Sequence, residues 1–594
     1  MRLFWFGFVM IVLVACGAPR ADQDSADQDR AQNEPASIAH DSDTVIYIAA
    51  SVITMAGPGD NAPAVAVRGG EILGTGEAQA LLRAYPKARV DRTFADKFIL
   101  PGLIDPHVHV MLGSMQYSLP VIPPWEMAMP DGMRAGIEGR AAFLAEVAAI
   151  EASSSPDAPV FIYGYHNLVH GDLTKADLDA ITTKRPLIIW HYSSHDFYLN
   201  SAALDWAGVD ASWADRFHGV DLAEDGSLTG RIYEDAALPL FQTLGRVLLA
   251  PEHVNAGWSG FSHMLRRGGV TTIAEMGYGI FGWELENHYI AANWSMNKSG
   301  YRLYLVPEHR ALERIYGEER VEVARKLAAG EIEAPAPVLP QVKFFTDAAF
   351  YSQTMRLSAP GYLAGQSKDS EGLWVIPPDR LSETIMPYWQ AGLDAHIHSN
   401  GDAAQAATLK ALAELRASAI QNRFIIEHGG LFSPDQVAEA GRLGAIVSIA
   451  SHYVFYMAET YRQALGPRRA AWISPLGSLS AAGVPITLHS DAPLAPPQPL
   501  LAASRAITRQ TREGGTYEIE NALTPYDAME AITLDAARAL RLDDEIGSIA
   551  AGKRADFTIL DANPLETPAD AWADIGVWGV VLDGEKHPLE PFRF

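Results

Sequence analysis

The residues best suited to chemistry are histidines that stand at the ends of apolar runs. The segment Phe-Ile-Leu-Pro-Gly-Leu-Ile-Asp-Pro-His-Val-His places His107 and His109 two positions apart. On a strand, side chains at positions i and i+2 share a face, so both imidazoles could approach one metal ion. The alternative is a pair of histidines packed in the core.

Four later apolar runs end in the same way. Their terminal residues are His396 and His398, Glu427 and His428, His452, and His489 with Asp491. The steps from 398 to 428, 452 and 491 are 30, 24 and 39 residues, the size of one strand–helix unit. Parallel strands that alternate with helices form a (β/α)₈ barrel, with catalytic groups at the carboxyl ends of the strands. The spacing therefore predicts an α/β fold of the TIM-barrel class with a metal site.

Composition narrows the function. The 594 residues are 48% hydrophobic and 20% charged, as in ordinary globular proteins. Lys and Arg number 46 against 72 Asp and Glu, a net charge of −26, which argues against a nucleic-acid partner. With a single cysteine, the ligands must be imidazole and carboxylate, a set that favours zinc and leaves iron, manganese and nickel open.

The one cysteine lies near the start of the chain. Arg2 precedes a short apolar stretch, and Leu-Val-Ala-Cys16 resembles a bacterial lipobox. Residues 1–16 are therefore predicted to be a lipoprotein signal peptide, and the polar residues 17–42 a disordered tether. A lipidated Cys16 would be the only membrane attachment of an exported protein, periplasmic or on the outer membrane in a diderm organism. An ordinary signal peptide with an incidental cysteine is the alternative.

Several motifs together resemble a known family. Pro-Gly-Leu-Ile-Asp-Pro-His-Val-His, ending at His109, resembles the amidohydrolase superfamily, and is most similar to amidohydrolase family 3, the branch that includes N-substituted formamide deformylase. Further matching segments, in order, are 190–204, 342–347, 398–402, 426–428, 490–493 and 546–557. The resemblance covers about residues 44–565. One departure is Ala348, where the family has glycine after the equivalent of Asp347.

The resemblance implies an architecture. His107 and His109 would end strand one, Lys343 strand four, and His398, His428 and Asp491 strands five, six and eight. Apolar segments at 268–275, 301–306 and 446–451 supply the remaining strands. The barrel would span 101–539, with a long insertion after strand one at 112–262. Residues 43–100 and 540–594 would form a small β-sandwich.

The resemblance also implies roles for residues. The metal ligands would be His107, His109, Lys343, His398, His428 and Asp491, holding one or two ions per chain. Asp491 would also be the catalytic acid–base, and Lys343 could be a ligand only if carboxylated. Otherwise Lys343 would form a core ion pair or the site would hold one metal. His195, His396 and His452 are predicted to contact substrate, His396 being an alternative ligand, and His489, like His452, could equally be structural. Glu427 is expected to face the surrounding helices.

These expectations define a function. The leading prediction is a metal-dependent amidohydrolase that uses metal-activated water to cut a non-peptide C–N bond in a small N-acyl or N-formyl amide. Hydrolysis of an ester, lactone or phosphoester, and a non-catalytic binding lipoprotein, are the alternatives. The insertion is expected to shape the substrate site, or else to serve packing or formation of a homodimer.

Overall fold

Eight parallel strands form the centre of the fold. The structure is a computed structural model, and it describes residues 43–592. In chain order the strands are β1 Leu103–Val108, β2 Val270–Tyr278, β3 Arg302–Pro307, β4 Gln341–Phe345, β5 Asp394–Ser399, β6 Phe424–His428, β7 Ile446–Ile449 and β8 Ile486–Leu488. They pair in the orders β3-β2-β1 and β4-β5-β6-β7-β8. The predicted α/β class is confirmed.

Backbone bridges connect the two sheets at both of their edges. Val108 at the end of β1 forms a parallel bridge with Ala492, just after β8, and Glu308 after β3 bridges Lys343 of β4. The amide of Asp491 donates to the carbonyl oxygen of His107 at 3.2 Å. These contacts hold the carboxyl ends of β1 and β8 side by side.

The sequence explains why these segments are strands. β1, β2, β3 and β5 are buried along their whole length. Strands of a parallel sheet are covered on both faces, and their sequences read as near-continuous apolar runs rich in Val, Ile and Leu. In the sequence, the candidate site residues therefore stand out as polar residues at the ends of apolar segments.

Helices connect and cover the strands. The helices are Ala78–Ala84, Val110–Gln116, Arg140–Ser153, Asn167–His170, Lys175–Ile181, Ser201–Ala207, Ala237–Leu248, Pro251–Arg267, Trp283–Asn293, Met296–Ser299, His309–Tyr316, Arg320–Ala328, Leu381–Gln390, Asp402–Arg416, Pro434–Leu443, His452–Leu465, Pro467–Ala470, Leu476–Ala481, Pro499–Thr508, Pro525–Ala531 and Leu534–Ala539.

The segment between β1 and β2 has a sheet of its own. Its five strands, in spatial order, are Val220–Leu222, Leu228–Tyr233, Asp196–Leu199, Leu187–His191 and Val160–Tyr165. A two-stranded ribbon pairs Met127–Met129 with Gly132–Arg134. The aromatic core of this segment includes Trp125 and Tyr192, which contact Tyr456 of the helix after β7. The segment therefore packs against the carboxyl-end loops of the parallel strands.

The two ends of the described chain meet in one mixed sheet. Its seven strands, in spatial order, are Glu585–Pro588, Val577–Leu582, Phe557–Leu560, Arg89–Pro101, Val45–Ile53, Asn61–Arg68 and Glu71–Thr75. Phe557–Leu560 runs antiparallel to the end of Arg89–Pro101. The predicted sandwich implied two sheets, whereas the hydrogen bonds link all seven strands into one, because the long strand Arg89–Pro101 pairs on both edges.

The predicted signal peptide (1–16), Cys16 and the tether (17–42) lie outside the described residues. Within residues 43–592, no helix combines the length and apolar character needed to cross a bilayer.

Candidate active site

The carboxyl ends of the parallel strands line a cavity of about 840 Å³. Most of the residues predicted for the site line this cavity: His107, His109, His195, Lys343, His398, His428 and Asp491. They come from β1, β4, β5, β6, the segment after β8 and the segment between β1 and β2. The fold thus gathers at one place polar groups that lie as far as 384 positions apart in the chain.

One cluster joins the ends of β1 and β8. The Nε2 atoms of His107 and His109 lie 3.5 and 3.3 Å from Oδ1 of Asp491. The backbone of Asp491 has a positive φ of 55°, a conformation that aspartate adopts more readily than most residues. Three potential ligand atoms, one from each residue, lie within 4.8 Å of one another.

A second cluster shares His107 with the first. The ligand atoms of His107, His428 and His489 also lie within 4.8 Å of one another. The His489 ring stacks on that of His107, with 4.6 Å between ring centroids. Nδ1 of His428 is 3.7 Å from Oδ2 of Asp491, so this carboxylate lies between the two clusters.

Two buried carboxylates orient the β1 histidines. Glu427 Oε2 is 2.7 Å from Nδ1 of His107, and Glu275 Oε1 is 3.1 Å from Nδ1 of His109. Each carboxylate accepts a hydrogen bond from the Nδ1 N–H group, so Nε2 of each ring faces Asp491. Histidines that bind metals usually have such a partner on the other ring nitrogen.

The polar atoms at the cavity floor fit a divalent cation. Among the described residues, His107 Nε2, His428 Nδ1, His489 Nε2, Asp491 Oδ1 and Lys343 Nζ are buried without a hydrogen-bond partner. Each unsatisfied buried polar group costs about 1–3 kcal/mol. Imidazole nitrogens and a carboxylate oxygen without thiolate are a common ligand set for a catalytic divalent ion. Ion binding would satisfy the nitrogens and the carboxylate oxygen together.

Only one ring nitrogen of His398 is available to bind a metal ion. Its Nε2 donates to the carbonyl oxygen of Ala348 at 3.1 Å. The lone pair is then on Nδ1, so any ligand role of His398 would use Nδ1. Ala348, the residue that departs from the family pattern, thus contacts a predicted ligand through its backbone.

Burial and neighbouring charges set the protonation of two key groups. Burial opposes ionisation of Asp491, but attraction to the nearby His109 and His107 side chains outweighs it and holds the Asp491 pKa far below its usual range. Burial lowers the pKa of Lys343 to about 8, although Glu427 and Asp491 act in the other direction. Asp491 is therefore ionised, and a substantial fraction of Lys343 is neutral at mildly alkaline pH.

The segment between β1 and β2 contributes a histidine–carboxylate pair. Nδ1 of His195 is 3.0 Å from Glu234 Oε2, and Oε1 of Glu234 accepts from Thr354 Oγ1 at 2.7 Å. Burial opposes the charged forms, but mutual attraction raises the pKa of His195 and lowers that of Glu234 to about 2. The His195 ring lies 6.4 Å from that of His398, so this pair faces the strand-end histidines.

Two predicted substrate contacts do not agree with the structure. His396 is fully buried behind the site, with Nδ1 2.5 Å from Glu427 Oε1, and it does not line the cavity. His452 begins the helix after β7 and is also buried away from the cavity. Both predictions relied on strand-end position alone, which cannot tell how deep a side chain lies.

The prediction for Glu427 was wrong. Adjacent residues on a strand face opposite sides, so a ligand at His428 implied an outward Glu427. The positive φ of His428, 73°, breaks this alternation and lets both side chains face the site. Sequence reasoning also missed Glu275 and Glu234; Glu275 does stand near the end of an apolar run, the same signal that identified the histidines.

The cavity has an apolar side and several cations. Its apolar lining includes Trp190, Phe197, Leu238, Phe241, Ile280 and Phe281. Arg310, Arg314 and Arg356 also line it. The space and its lining suit a ligand with a sizeable apolar group and a polar or anionic one.

A family profile described as an amidohydrolase family matches residues 95–586. Among curated proteins, the chain is 28% identical to Protein LONG AFTER FAR-RED 3 of Arabidopsis thaliana, over 84% of each chain. It is 24% identical to the putative amidohydrolase YtcJ of Bacillus subtilis, over 86% of this chain and 93% of that protein. It is 22% identical to N-substituted formamide deformylase of Arthrobacter pascens, over 91% of this chain and 97% of the deformylase.

A solved structure has the same fold. It is an uncharacterized metal-dependent hydrolase from Pyrococcus horikoshii OT3, with a TM-score of 0.66 and 19% sequence identity, and it covers 89% of this chain and 99% of its own. At this identity the likeness concerns the fold alone.

Proposed function

The chain belongs to the amidohydrolase family, as its motifs predicted, and on this premise we propose that it hydrolyses a non-peptide C–N bond in a small N-acyl or N-formyl amide. Membership supports a metal-dependent hydrolase. The choice of a C–N bond rests on the similarity to N-substituted formamide deformylase. The observation that carries the proposal is the set of unpartnered imidazole and carboxylate atoms at the floor of a large cavity.

His107, His109, His398, His428 and Asp491 would hold the divalent metal. We propose zinc as that metal. When bound, such an ion supplies Lewis acidity that makes water nucleophilic near neutral pH and polarises a carbonyl group. Glu427 and Glu275 keep the Nε2 atoms of His107 and His109 directed at the site. The ion count, one or two per chain, depends on Lys343.

Asp491 would carry the proton. Its carboxylate lines the cavity beside the two β1 histidines, so it is placed to accept a proton from the attacking water. Returning that proton to the leaving nitrogen would complete general acid–base catalysis, which typically contributes about 10²–10⁴-fold. His195, held by Glu234 above the same cavity, would contact the substrate.

Lys343 would become a ligand through carboxylation by CO₂. Carboxylation needs the neutral amine, and burial lowers the pKa of Lys343 to about 8, which favours that form. Attack of the neutral amine on CO₂ would form an N–C bond and release one proton to solvent, and the carbamate would replace a buried unpartnered amine with anionic oxygen atoms that could bind metal. Labelling with ¹³C-bicarbonate tests this, since a carbamate gives its own carbonyl resonance and a Lys343→Ala variant must lack it.

The two parallel sheets would act as one closed (β/α)₈ barrel, with the segment 112–262 as an insertion over its carboxyl end. The backbone bridges at Val108–Ala492 and Glu308–Lys343 support this closure. The apolar side chains contributed by the insertion would exclude water from the reacting groups and bind the apolar part of the amide.

Export with lipid attachment at Cys16 completes the proposal. The chain would then act at a bacterial membrane surface, periplasmic or on the outer membrane in a diderm organism. Cell fractionation of the wild type and a Cys16→Ser variant tests this, because removing the acylated thiol should move the protein from the membrane to the soluble fraction. Equal distribution of the two would contradict it.

The decisive experiment measures turnover on matched substrates. The full chain, reconstituted with zinc, is tested on paired amides and esters that share the same acyl group, alongside lactones and phosphoesters. Preferential cleavage of amides, abolished in Asp491→Asn, is the expected result. An Asp235→Asn variant, altered in the same cavity but away from the clusters, should retain activity. Cleavage of esters or phosphoesters without cleavage of amides would favour an ester, lactone or phosphoester hydrolase. No turnover of any of these substrates would favour a non-catalytic binding protein.

A further inference from the structure

His489 has the features of a metal ligand, although no motif singles it out. It follows β8 directly, its side chain is fully buried, and Nε2 has no hydrogen-bond partner among the described residues. On the other side of the ring, Nδ1 lies 2.7 Å from Ser448 Oγ and 3.6 Å from Glu427 Oε2. The negative charge of Glu427 favours a proton on Nδ1, which the Ser448 hydroxyl can accept, and this leaves the lone pair on Nε2.

The two neighbouring histidines, His107 and His428, also have unpartnered ring nitrogens. Glu427 occupies Nδ1 of His107 and leaves its Nε2 unpartnered, while Nδ1 of His428 is also buried without a partner. In each of the three histidines, one ring nitrogen lies within 4.8 Å of a ring nitrogen of each of the other two. Zinc–nitrogen bonds of about 2.0–2.1 Å place neighbouring ligand nitrogens roughly 3–3.6 Å apart in four- or five-coordinate geometry. Small rotations of the rings would bring the set to that spacing.

Simple packing of core histidines explains this arrangement less well. Buried polar atoms are nearly always hydrogen-bonded, and three unpartnered imidazole nitrogens pointing together would be costly without a shared partner. The rings of His107 and His489 stack with 4.6 Å between their centroids, so the two side chains are held against each other. Glu427 holds Nδ1 of His107 by a hydrogen bond, and Ser448 holds Nδ1 of His489, so the second nitrogen of each ring is left for an ion.

We propose that His489 is a direct ligand of the divalent ion that His107 and His428 bind. Since His107 has only one lone-pair nitrogen, this ion is the same one that His109 and Asp491 approach. The ion shared by His107, His428 and His489 thus has one more imidazole ligand than the family motifs imply. Glu427 and Ser448 position these ligands. The inference rests on the metal of the proposed function but not on which bond is cleaved.

Anomalous diffraction from crystals of the zinc-loaded full chain tests the proposal directly. The expected result is a zinc peak about 2.0–2.1 Å from Nε2 of His489 and at bonding distance from His107 and His428. A peak bound by His107 but beyond about 3 Å from His489 would overturn it. This measurement needs no variant and no substrate.

A matched pair of variants tests the same point in solution. His452 is an equally buried histidine with an unpartnered Nε2, but it belongs to neither cluster. Competition with a chromophoric chelator should show zinc affinity reduced at least ~10-fold in His489→Gln and unchanged in His452→Gln. Equal affinities in the two variants, or a wild type that takes up no zinc, would overturn the proposal. Loss of amide hydrolysis with normal zinc binding would instead contradict only the proposed reaction.

Discussion

Among single residues, Glu427 has the widest influence on the site. Its carboxylate lies 2.7 Å from His107 Nδ1, 2.5 Å from His396 Nδ1 and 3.6 Å from His489 Nδ1. Burial opposes its ionisation, but the hydrogen bond with His396 and the charge of Lys343 lower its pKa to about 2. One anion therefore accepts hydrogen bonds from His107 and His396 and lies close to a third imidazole, that of His489.

We expect Glu427→Gln to weaken metal binding by about 10–100-fold, the usual cost of losing a partner behind a ligand. Glutamine keeps the shape, but its amide nitrogen cannot accept a proton, so one imidazole loses its acceptor. Chelator competition measures the change. Glu439→Gln, on the surface of the helix after β6, is the control and should bind zinc normally. Affinity within about twofold of wild type in Glu427→Gln would contradict the role.

The sequence predicted which residues lie at the ends of the strands, but not which of their side chains face the cavity. His107, His109, His398, His428 and Asp491 could be placed at one end of the strands because each terminates an apolar run. Whether a strand-end histidine faces the cavity, as His398 does, or lies behind it, as His396 does, depends on neighbours distant in sequence. The local signal is the same for both.

At the scale of elements, a buried ion pair attaches the parallel strands to the terminal sheet. Arg302 begins β3 and donates to both carboxylate oxygens of Asp556, at 2.7 and 3.0 Å. Its second partner, Asp583, lies 2.5 Å away and is 41% exposed. Asp556 itself is almost completely buried. The pair links chain segments that are 254 positions apart.

Asp556→Ala should lower the free energy of unfolding by about 3–5 kcal/mol, because it leaves a buried guanidinium without its main partner. Asp583→Ala removes a partner that water can replace, and should cost about 1 kcal/mol or less. Urea unfolding of both variants, followed by fluorescence, gives the comparison. If the two variants lost similar amounts of unfolding free energy, the burial of Asp556 would not make its carboxylate more important than that of Asp583.

The segment between β1 and β2 offers a test of its substrate role. His195→Gln should reduce kcat/KM about 10–100-fold, the size of one hydrogen bond to a charged group, with zinc content unchanged. His218 lines the same cavity but is 89% exposed and only weakly paired with Asp235, so His218→Gln is the matched control. Equal kinetics in the two variants would instead favour a packing role for the segment.

Element positions were easier to predict than their assembly. The three strands needed to complete the set were expected at 268–275, 301–306 and 446–451, and strands lie at Val270–Tyr278, Arg302–Pro307 and Ile446–Ile449. The five-stranded sheet between β1 and β2 was not predicted. The insertion was inferred only from the length of the chain between these strands, and length does not reveal which of its segments pair as strands. Likewise, strand-rich ends could not reveal that Arg89–Pro101 pairs on both edges within one sheet.

For the whole molecule, the site and the stability of the fold are coupled. The potential ligands come from the ends of β1 and β6 and the segment after β8, so one ion would add a further link between elements that backbone bridges and the His107–Glu427 hydrogen bond already connect. Without an ion, the same place holds buried imidazole and carboxylate atoms that lack partners. A ligand that binds only the folded chain stabilises it by about 2.7 kcal/mol at a hundred times its Kd.

We therefore expect the melting temperature to rise steadily with free zinc and to fall when a chelator removes the ion. The dependence follows mass action, since the assembled cluster exists only in the folded chain. Calorimetry over a range of buffered zinc concentrations measures it. Asp491→Asn serves as the control, because a weakened site should flatten the dependence while leaving the apo melting temperature near that of the wild type. A wild-type melting temperature that does not respond to zinc would mean that the clusters do not bind the ion in the folded state, and would contradict the metal-dependent mechanism along with the stability argument.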